Sequence, residues 1–299
     1  MPDDLLVRAT WIQKMQAESA DFIGSTQAAE KALETEIANS GAKPLVAHLR
    51  LCGVIPELFD HDSTPEKLYS KYTDAILCET FRFLGLNSVV ITGRADVADV
   101  EAVSTPRHYD LVADAKAFRL TRTAKNQKDF KITALHKWKY GKKYATVVCP
   151  IYQLPSNKSQ IYEQATSLDV CILSYSHLAT IVNYQAAGHD GDEAFHGLLD
   201  AVSTMNPSSS SVDYWTTINK ALLGVNKHVM PDLWRQEKLA NLEGIGHAKV
   251  EGLTYLSAER TRLMSLTHDE AIRLLVTMRK IDAREKWIKD LKDNQLLSK

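Results

Sequence analysis

Hydrophobic and polar positions follow two different periods along this chain, and the period changes near residue 88 and again past residue 186. The first forty residues, rich in Ala, Glu and Gln, break at Asn39-Ser40-Gly41 with Pro44 beyond, which is how a helix stops. Ser63-Thr64-Pro65-Glu66 then supplies a hydroxyl cap, a proline in the first turn and an acid placed to close a capping box. The helix it opens carries Leu68, Tyr72, Ala75 and Ile76 to about Leu84, and Gly85 ends it. From Ser88 the runs become short and β-branched. Residues 88–92, 97–103 and 109–118 predict successive strands, paired antiparallel because their connections are too short for a crossover helix. Residues 144–154 and 170–175 are apolar without alternation, as strands covered on both faces would be. Residues 158–167 between them predict a crossover helix, and Ser176 caps another over 177–187. Strand-helix-strand units of this kind predict an α/β protein with a mixed central sheet flanked by helices.

Past residue 185 the texture changes. Gly188, Gly191, Gly197, Asn206-Pro207 and a run of serines read residues 186–213 as a loop or linker. Residues 214–299 return to helical periodicity, with Thr267-His268-Asp269-Glu270 as a capping box and Ile272, Leu275, Met278 and Ile281 as an apolar stripe. The expected organisation is a core over 1–185 that includes the N-terminal helices, a linker, and a helical C-terminal region packed on the core.

Of the 299 residues 44% are hydrophobic and 24% charged, the balance of a globular protein with a sizeable core. No apolar run approaches bilayer length and the N-terminus lacks a signal peptide's basic and apolar regions, so a cytoplasmic location and no membrane partner are expected. Cys52, Cys78, Cys149 and Cys171 show no C-x-x-C spacing and read as core thiols rather than zinc ligands. Net charge is −1, but residues 115–143 hold ten Lys or Arg against the single acid Asp129. Such a cationic stretch on an otherwise acidic chain is the footprint of a nucleic-acid binder; a solvated charged helix is the plainer alternative.

That stretch begins in a strand that carries chemistry. Asp114 and Lys116 lie two apart, so on a strand they share one face, and Ala113, Ala115 and Ala117 argue that the sheet there is buried. An acid and an amine turned into a buried sheet need a reason. Hydrolysing a phosphodiester needs an activated water, stabilisation of the charge gathering on phosphorus and help for the leaving oxygen. Carboxylates serve that chiefly by holding Mg²⁺, and a neighbouring lysine can orient or deprotonate the water. A second acid is required, and a tight turn around Thr105-Pro106-Arg107 would bring Asp99 beside Asp114; Asp96, in a looser Gly93-Arg94-Ala95 context, is the less favoured candidate.

The whole segment Leu-Val-Ala-Asp-Ala-Lys-Ala-Phe-Arg-Leu-Thr-Arg-Thr-Ala-Lys-Asn-Gln-Lys-Asp-Phe-Lys, residues 111–131, resembles the active-site region of the HindIII family of type II restriction endonucleases, in the PD-(D/E)xK nuclease superfamily. Shorter matches occur at 63–71, 86–88, 158–161 and 177–179, and the likeness runs from about residue 44 to 182, with a weaker echo over 267–292. It implies a restriction-endonuclease-like fold and a homodimeric, Mg²⁺-dependent enzyme, with one or two cations per site, that cuts palindromic duplex DNA at AAGCTT. It also implies that a DNA methyltransferase could accompany it. Asp99, Asp114 and Lys116 match the family's metal-binding and catalytic positions, and Asp129 and Lys131 its accessory acid and lysine. One departure stands out: Thr92 occupies the place where the family pattern has a glutamate, which bears on the second cation.

For DNA contact, Asn126 and Gln127 suit bidentate pairing with adenine, while Arg119, Arg122, Lys125, Lys128 and Lys131 suit phosphates or one guanine. Glu66 could lie near the site as a helix acid, though its place in a capping box accounts for it without chemistry. Two other functions stay open on the sequence alone: a repair or recombination nuclease selective for DNA structure, and a catalytically silent DNA-binding module on the same scaffold.

Overall fold

A computed structural model describes residues 2–17, 21–92, 96–122, 127–156, 159–207 and 210–291. Four helices come first: α1 (Pro2–Ala17), α2 (Phe22–Ser40), α3 (Ala42–Leu51) and α4 (Thr64–Phe83). Asp21 caps α2 by accepting from the Gly24 N–H, and Gly41, at φ 70°, ends it in a conformation an L side chain resists. Ser63 caps α4 through the Glu66 N–H, with Pro65 in the first turn, as the sequence predicts; the Glu66 carboxylate, expected to close a capping box on the Ser63 N–H, accepts instead from Asp62 one residue earlier. Residues 72–81 of α4 are buried almost all round, so this helix runs through the core rather than over it.

Five strands follow, β1 (Asn87–Val90), β2 (Val100–Ser104), β3 (Tyr109–Ala115), β4 (Tyr144–Cys149) and β5 (Val170–Ser174), in the order β1-β2-β3-β4-β5. The first three pair antiparallel through short turns; β4 and β5 join parallel, reached over α5 (Ile132–Trp138) and α6 (Ile161–Ser167). The mixed sheet and its flanking helices are those anticipated, and β4 and β5 are buried at every position, which explains their unbroken apolar runs. α7 (Tyr175–Ala186) leaves β5 at once; its cap is Ser174, two residues before the Ser176 expected.

The stretch 186–213 is not a linker. Residues Gly191–Ser203 form α8, opened by Asp190, whose carboxylate accepts from the Glu193 N–H, and closed onto the core by Phe195, Leu198, Leu199 and Val202. Its glycines mislead because Gly191 is there for closeness: a Cβ would stand 2.7 Å from Leu84 and 2.9 Å from the Gln185 amide oxygen. Then come α9 (Ser211–Val225) and the long α10 (Met230–Met264). Tyr214 of α9 donates its hydroxyl to the Ile172 carbonyl of β5 (3.0 Å). On α10, Glu237 accepts from Arg50 and Glu251 from Arg8, whose guanidinium also meets the Leu51 and Val54 carbonyls. The chain divides into compact units at 252/253, inside α10, not at 213/214.

The second unit, 253–299, comprises the end of α10, α11 (His268–Met278) and α12 (Ile281–Lys289). Thr267 and Glu270 form the expected capping box, and Ile272, Leu275 and Met278 the expected stripe. All four cysteines are free and buried. Among the described residues no helix is long and apolar enough to cross a membrane.

Candidate active site

Register alone brings the two aspartates together. In the antiparallel ladder Val100 faces Ala113, so the next pair outward is Asp99 and Asp114, whose side chains leave the sheet on the same side. The backbone of Asp99 is held from both neighbours: its N–H donates to the Ala113 carbonyl (3.1 Å) and its carbonyl accepts from Ile91 (2.8 Å). Asp96, by contrast, is exposed in a loop at φ 59°.

Asp114 is fully buried, and the Lys116 ammonium lies against its carboxylate. Lys131, at the N-terminus of α5, brings a second ammonium to 3.7 Å from the other oxygen. Lys116 is seated by its backbone as well. Its N–H donates to the Val148 carbonyl of β4 (2.8 Å), and its carbonyl accepts from the Tyr175 hydroxyl at the start of α7 (3.0 Å). Two residues on, Phe118 bridges to residues 53–55 through the Gly53 carbonyl (2.9 Å) and the Ile55 N–H (3.2 Å). Glycine at 53 leaves room for Pro150, since a Cβ there would stand 2.7 Å from the Pro150 side chain.

A third acid, Asp74, reaches the site from α4, which packs against β2 and β3. It is buried and pairs with Lys71 at 2.8 Å. The sequence does not set it apart, because α4 mixes polar and apolar residues and buries both kinds, Thr73, Glu79 and Thr80 among them; the available signal is an acid between Tyr72 and Ile76 on an otherwise apolar spacing. Burial pushes the Asp99 carboxyl up to about 8, with the charges of Asp74 and Asp114 adding to it. Burial likewise pushes Asp74 up to about 6, against the pull of Lys71. Acids so placed hold protons unless a cation relieves them.

A divalent cation fits this donor set. Both Asp114 oxygens are enclosed, and among the described residues the charged groups set against them are the Lys116 ammonium and, farther off, that of Lys131. Enclosed carboxylate oxygens beside a second carboxyl on the adjacent strand are the hard oxygen ligands Mg²⁺ takes. A tighter trio of ligand atoms, His61, Asp62 and Glu66 within 4.8 Å of one another, lies elsewhere, at the start of α4. His61 and Asp62 are exposed, and Glu66 is already engaged.

That engagement decides two sequence expectations. Glu66 accepts from the Asp62 N–H (2.7 Å) and pairs with Arg119 (2.7 Å), so it closes the helix start and lies about 12 Å along the helix from Asp74 at 1.5 Å per residue. Arg119 spends its remaining donors on the Pro56, Glu57 and Phe59 carbonyls, inside the protein rather than toward a ligand. Arg122 pairs with Asp129 and stacks over Phe118, 4.4 Å from the ring centre. Lys125 and Asn126 lie outside the described residues, as do the side chains of Gln127 and Lys128. Further along, Lys139, Lys142 and Lys143 meet Asp169, Glu101 and Asp200. Four cations of the run, Arg119, Lys139, Lys142 and Lys143, are thus paired with acids from distant segments. Lys116 and Lys131 are the members that reach the aspartates.

The chain matches the HindIII restriction endonuclease family over residues 9–292. It is also 34% identical over 260 residues to the type II restriction enzyme HindIII of Haemophilus influenzae, an alignment covering 83% of this chain and 85% of that enzyme.

Proposed function

The chain belongs to the HindIII restriction endonuclease family, and we propose that this site-specific deoxyribonuclease hydrolyses duplex DNA at the palindrome AAGCTT with Mg²⁺ held by Asp99 and Asp114. The observation that carries the reading is the pairing of those two acids across β2 and β3 with Lys116 against Asp114. When bound, the cation supplies charge neutralisation at the phosphate and acidifies water. The chain's own groups do the rest. Lys116, largely buried and fixed from β4 and α7, orients the attacking water and offsets charge gathering on the phosphoryl oxygens. Asp74 adds a third acid from α4, whereas Thr92 is exposed and carries no carboxylate. One site per chain and a palindromic target call for a two-fold homodimer, and such an enzyme would work in the cytoplasm beside a methyltransferase that protects the same sequence.

Sequencing the ends of plasmid DNA cut by the purified protein in Mg²⁺ tests this directly. Discrete fragments ending within AAGCTT are expected, and none in EDTA. Ends confined to branches or nicks would favour a structure-selective nuclease, and intact DNA in both buffers a silent binding module.

Metal removal has its own signature. The unfolded chain releases its aspartate protons near 3.8, whereas folded Asp74 and Asp99 keep theirs to about 6 and about 8. Between those limits the folded state binds more protons, so raising pH favours unfolding. In EDTA the melting temperature should therefore fall as pH rises from about 4 to about 8, and Mg²⁺ should raise it more at the upper end than at the lower. An equal Mg²⁺ response at both ends would remove these aspartates from the cation site.

A further inference from the structure

The long helix α10 carries two stripes. The inner one, which includes Trp234, Glu237, Asn241, Gly244 and Ala248, is buried at intervals of three and four residues. The outer one is apolar and bare: Leu239 is 59% exposed, Leu242 68%, Leu253 67% and Leu256 41%. Leu239 follows Glu237 by two residues and Gly246 follows Gly244 by two, which is about 200° round a helix of 3.6 residues per turn. With the exposed Gly246 and Lys249 between them, the four leucines alternate steps of three and four from 239 to 256. That is the seven-residue repeat of a helix seamed to another helix, narrower than the stripe of one that lies on a core.

The middle of the seam says what covers it. Glycine inside an exposed helix is destabilising relative to alanine, and a Cβ at Gly246 would meet no neighbouring group within 4 Å among the described residues. The chain's own packing does not ask for glycine there, so the room it leaves is open to a side chain from outside. Lys249, one turn on, has a long apolar stem that needs such room. Two copies of α10 laid antiparallel, with the two-fold axis between residues 247 and 248, satisfy both. Leu239 then faces the partner's Leu256, Leu242 faces the partner's Leu253, and Lys249 runs over the partner's Gly246 to put its ammonium in water. On the flank Lys238 comes to the partner's Glu259, an opposite charge that already holds Arg262 in its own chain. A parallel pair in register would set lysine 249 on lysine 249 and leave a hole between the two glycines.

We infer that the outer face of α10 is an interaction surface for a second copy of this chain, paired antiparallel along Leu239, Leu242, Leu253 and Leu256. A two-fold contact needs a patch that complements itself when reversed. Read along the seam, leucine, leucine, glycine, lysine, leucine, leucine is such a patch: reversal sets leucine on leucine at both ends and the long side chain on the gap at the centre. The inference goes beyond the proposed homodimer by naming the surface and its direction, and rests on that reading only for the count of two.

The test is sedimentation velocity of the full chain without DNA, over a dilution series, for wild type, Leu242→Glu and Leu253→Lys. Wild type should sediment as a dimer. Each variant should need a concentration at least about tenfold higher to dimerise, because it sets two charges against leucines. Both positions are exposed in the single chain, so the helix content of each variant should match wild type. Mixed in equal amounts, the two variants should dimerise again: one glutamate then faces one lysine, and one leucine faces one leucine. A parallel pair in register gives no such recovery. A wild type that stays monomeric, or dimers that withstand both substitutions, would overturn the proposal, and weakened variants that do not recover on mixing would overturn the antiparallel pairing. Plasmid cleavage in Mg²⁺ is read on the same samples. A dimer that leaves an AAGCTT plasmid intact would overturn the nuclease reading and leave the seam standing, while a monomer that cuts it would overturn the seam alone.

Discussion

Asp114→Asn is expected to abolish cleavage while DNA binding in EDTA stays intact or tightens. The carboxylate is fully buried against the Lys116 ammonium, so an amide of the same size keeps the packing but removes the charge a divalent cation needs. It also removes a repulsion felt by any phosphate that approaches, which is why affinity should not fall. A rate loss on the order of 10³-fold or more is expected, above that of a single charge-stabilising donor. Gel shift with an AAGCTT duplex and cleavage in Mg²⁺ read the two effects apart. Lost binding with undiminished cleavage per bound complex would refute the assignment of Asp114 as a cation ligand.

Lys116→Ala should act on both rate and stability, in ways that differ with Mg²⁺. Chemistry should slow by roughly 10³-fold, about 4 kcal/mol of barrier, because the group beside the attacking water is gone. Binding should change little, since Lys116 is mostly buried and contributes little to the surface a duplex meets. In EDTA the variant should also melt lower: breaking a buried pair leaves Asp114 without its nearest counter-charge, a loss of about 3–5 kcal/mol. Mg²⁺ should restore most of that stability and none of the rate. Wild-type turnover in the alanine variant would remove Lys116 from the chemistry, whatever its effect on melting.

The parts of this site that were legible in the sequence are those set by local rules. Asp114 and Lys116 share a face because strands have a period of two, and Asp99 meets Asp114 because the turn between β2 and β3 is short. Ser63 and Thr267 mark helix starts for the same kind of local reason. Asp74 was hidden because residues 72–81 of α4 bury polar and apolar side chains alike, so no face sets an acid apart. α8 was hidden because Gly191 looks like a breaker when counted and is a contact when packed. The cationic stretch misled for a third reason. Sequence proximity displays like charges together, but their partners Glu66, Glu101, Asp169 and Asp200 come from segments up to dozens of residues away, and only folding brings them in. Lys131 was visible as a cation; its aim depends on one backbone angle that no pattern of side chains reports.

The seat of Lys116 draws on Gly53, Val148 and Tyr175, three points spread over more than a hundred residues of chain. A polypeptide emerging from the ribosome thus carries its aspartates and its amine long before it can use them. Until β4 has joined β3 and Tyr175 of α7 has reached the Lys116 carbonyl, the amine has no fixed post, so its seat belongs to the assembled sheet and to no local segment.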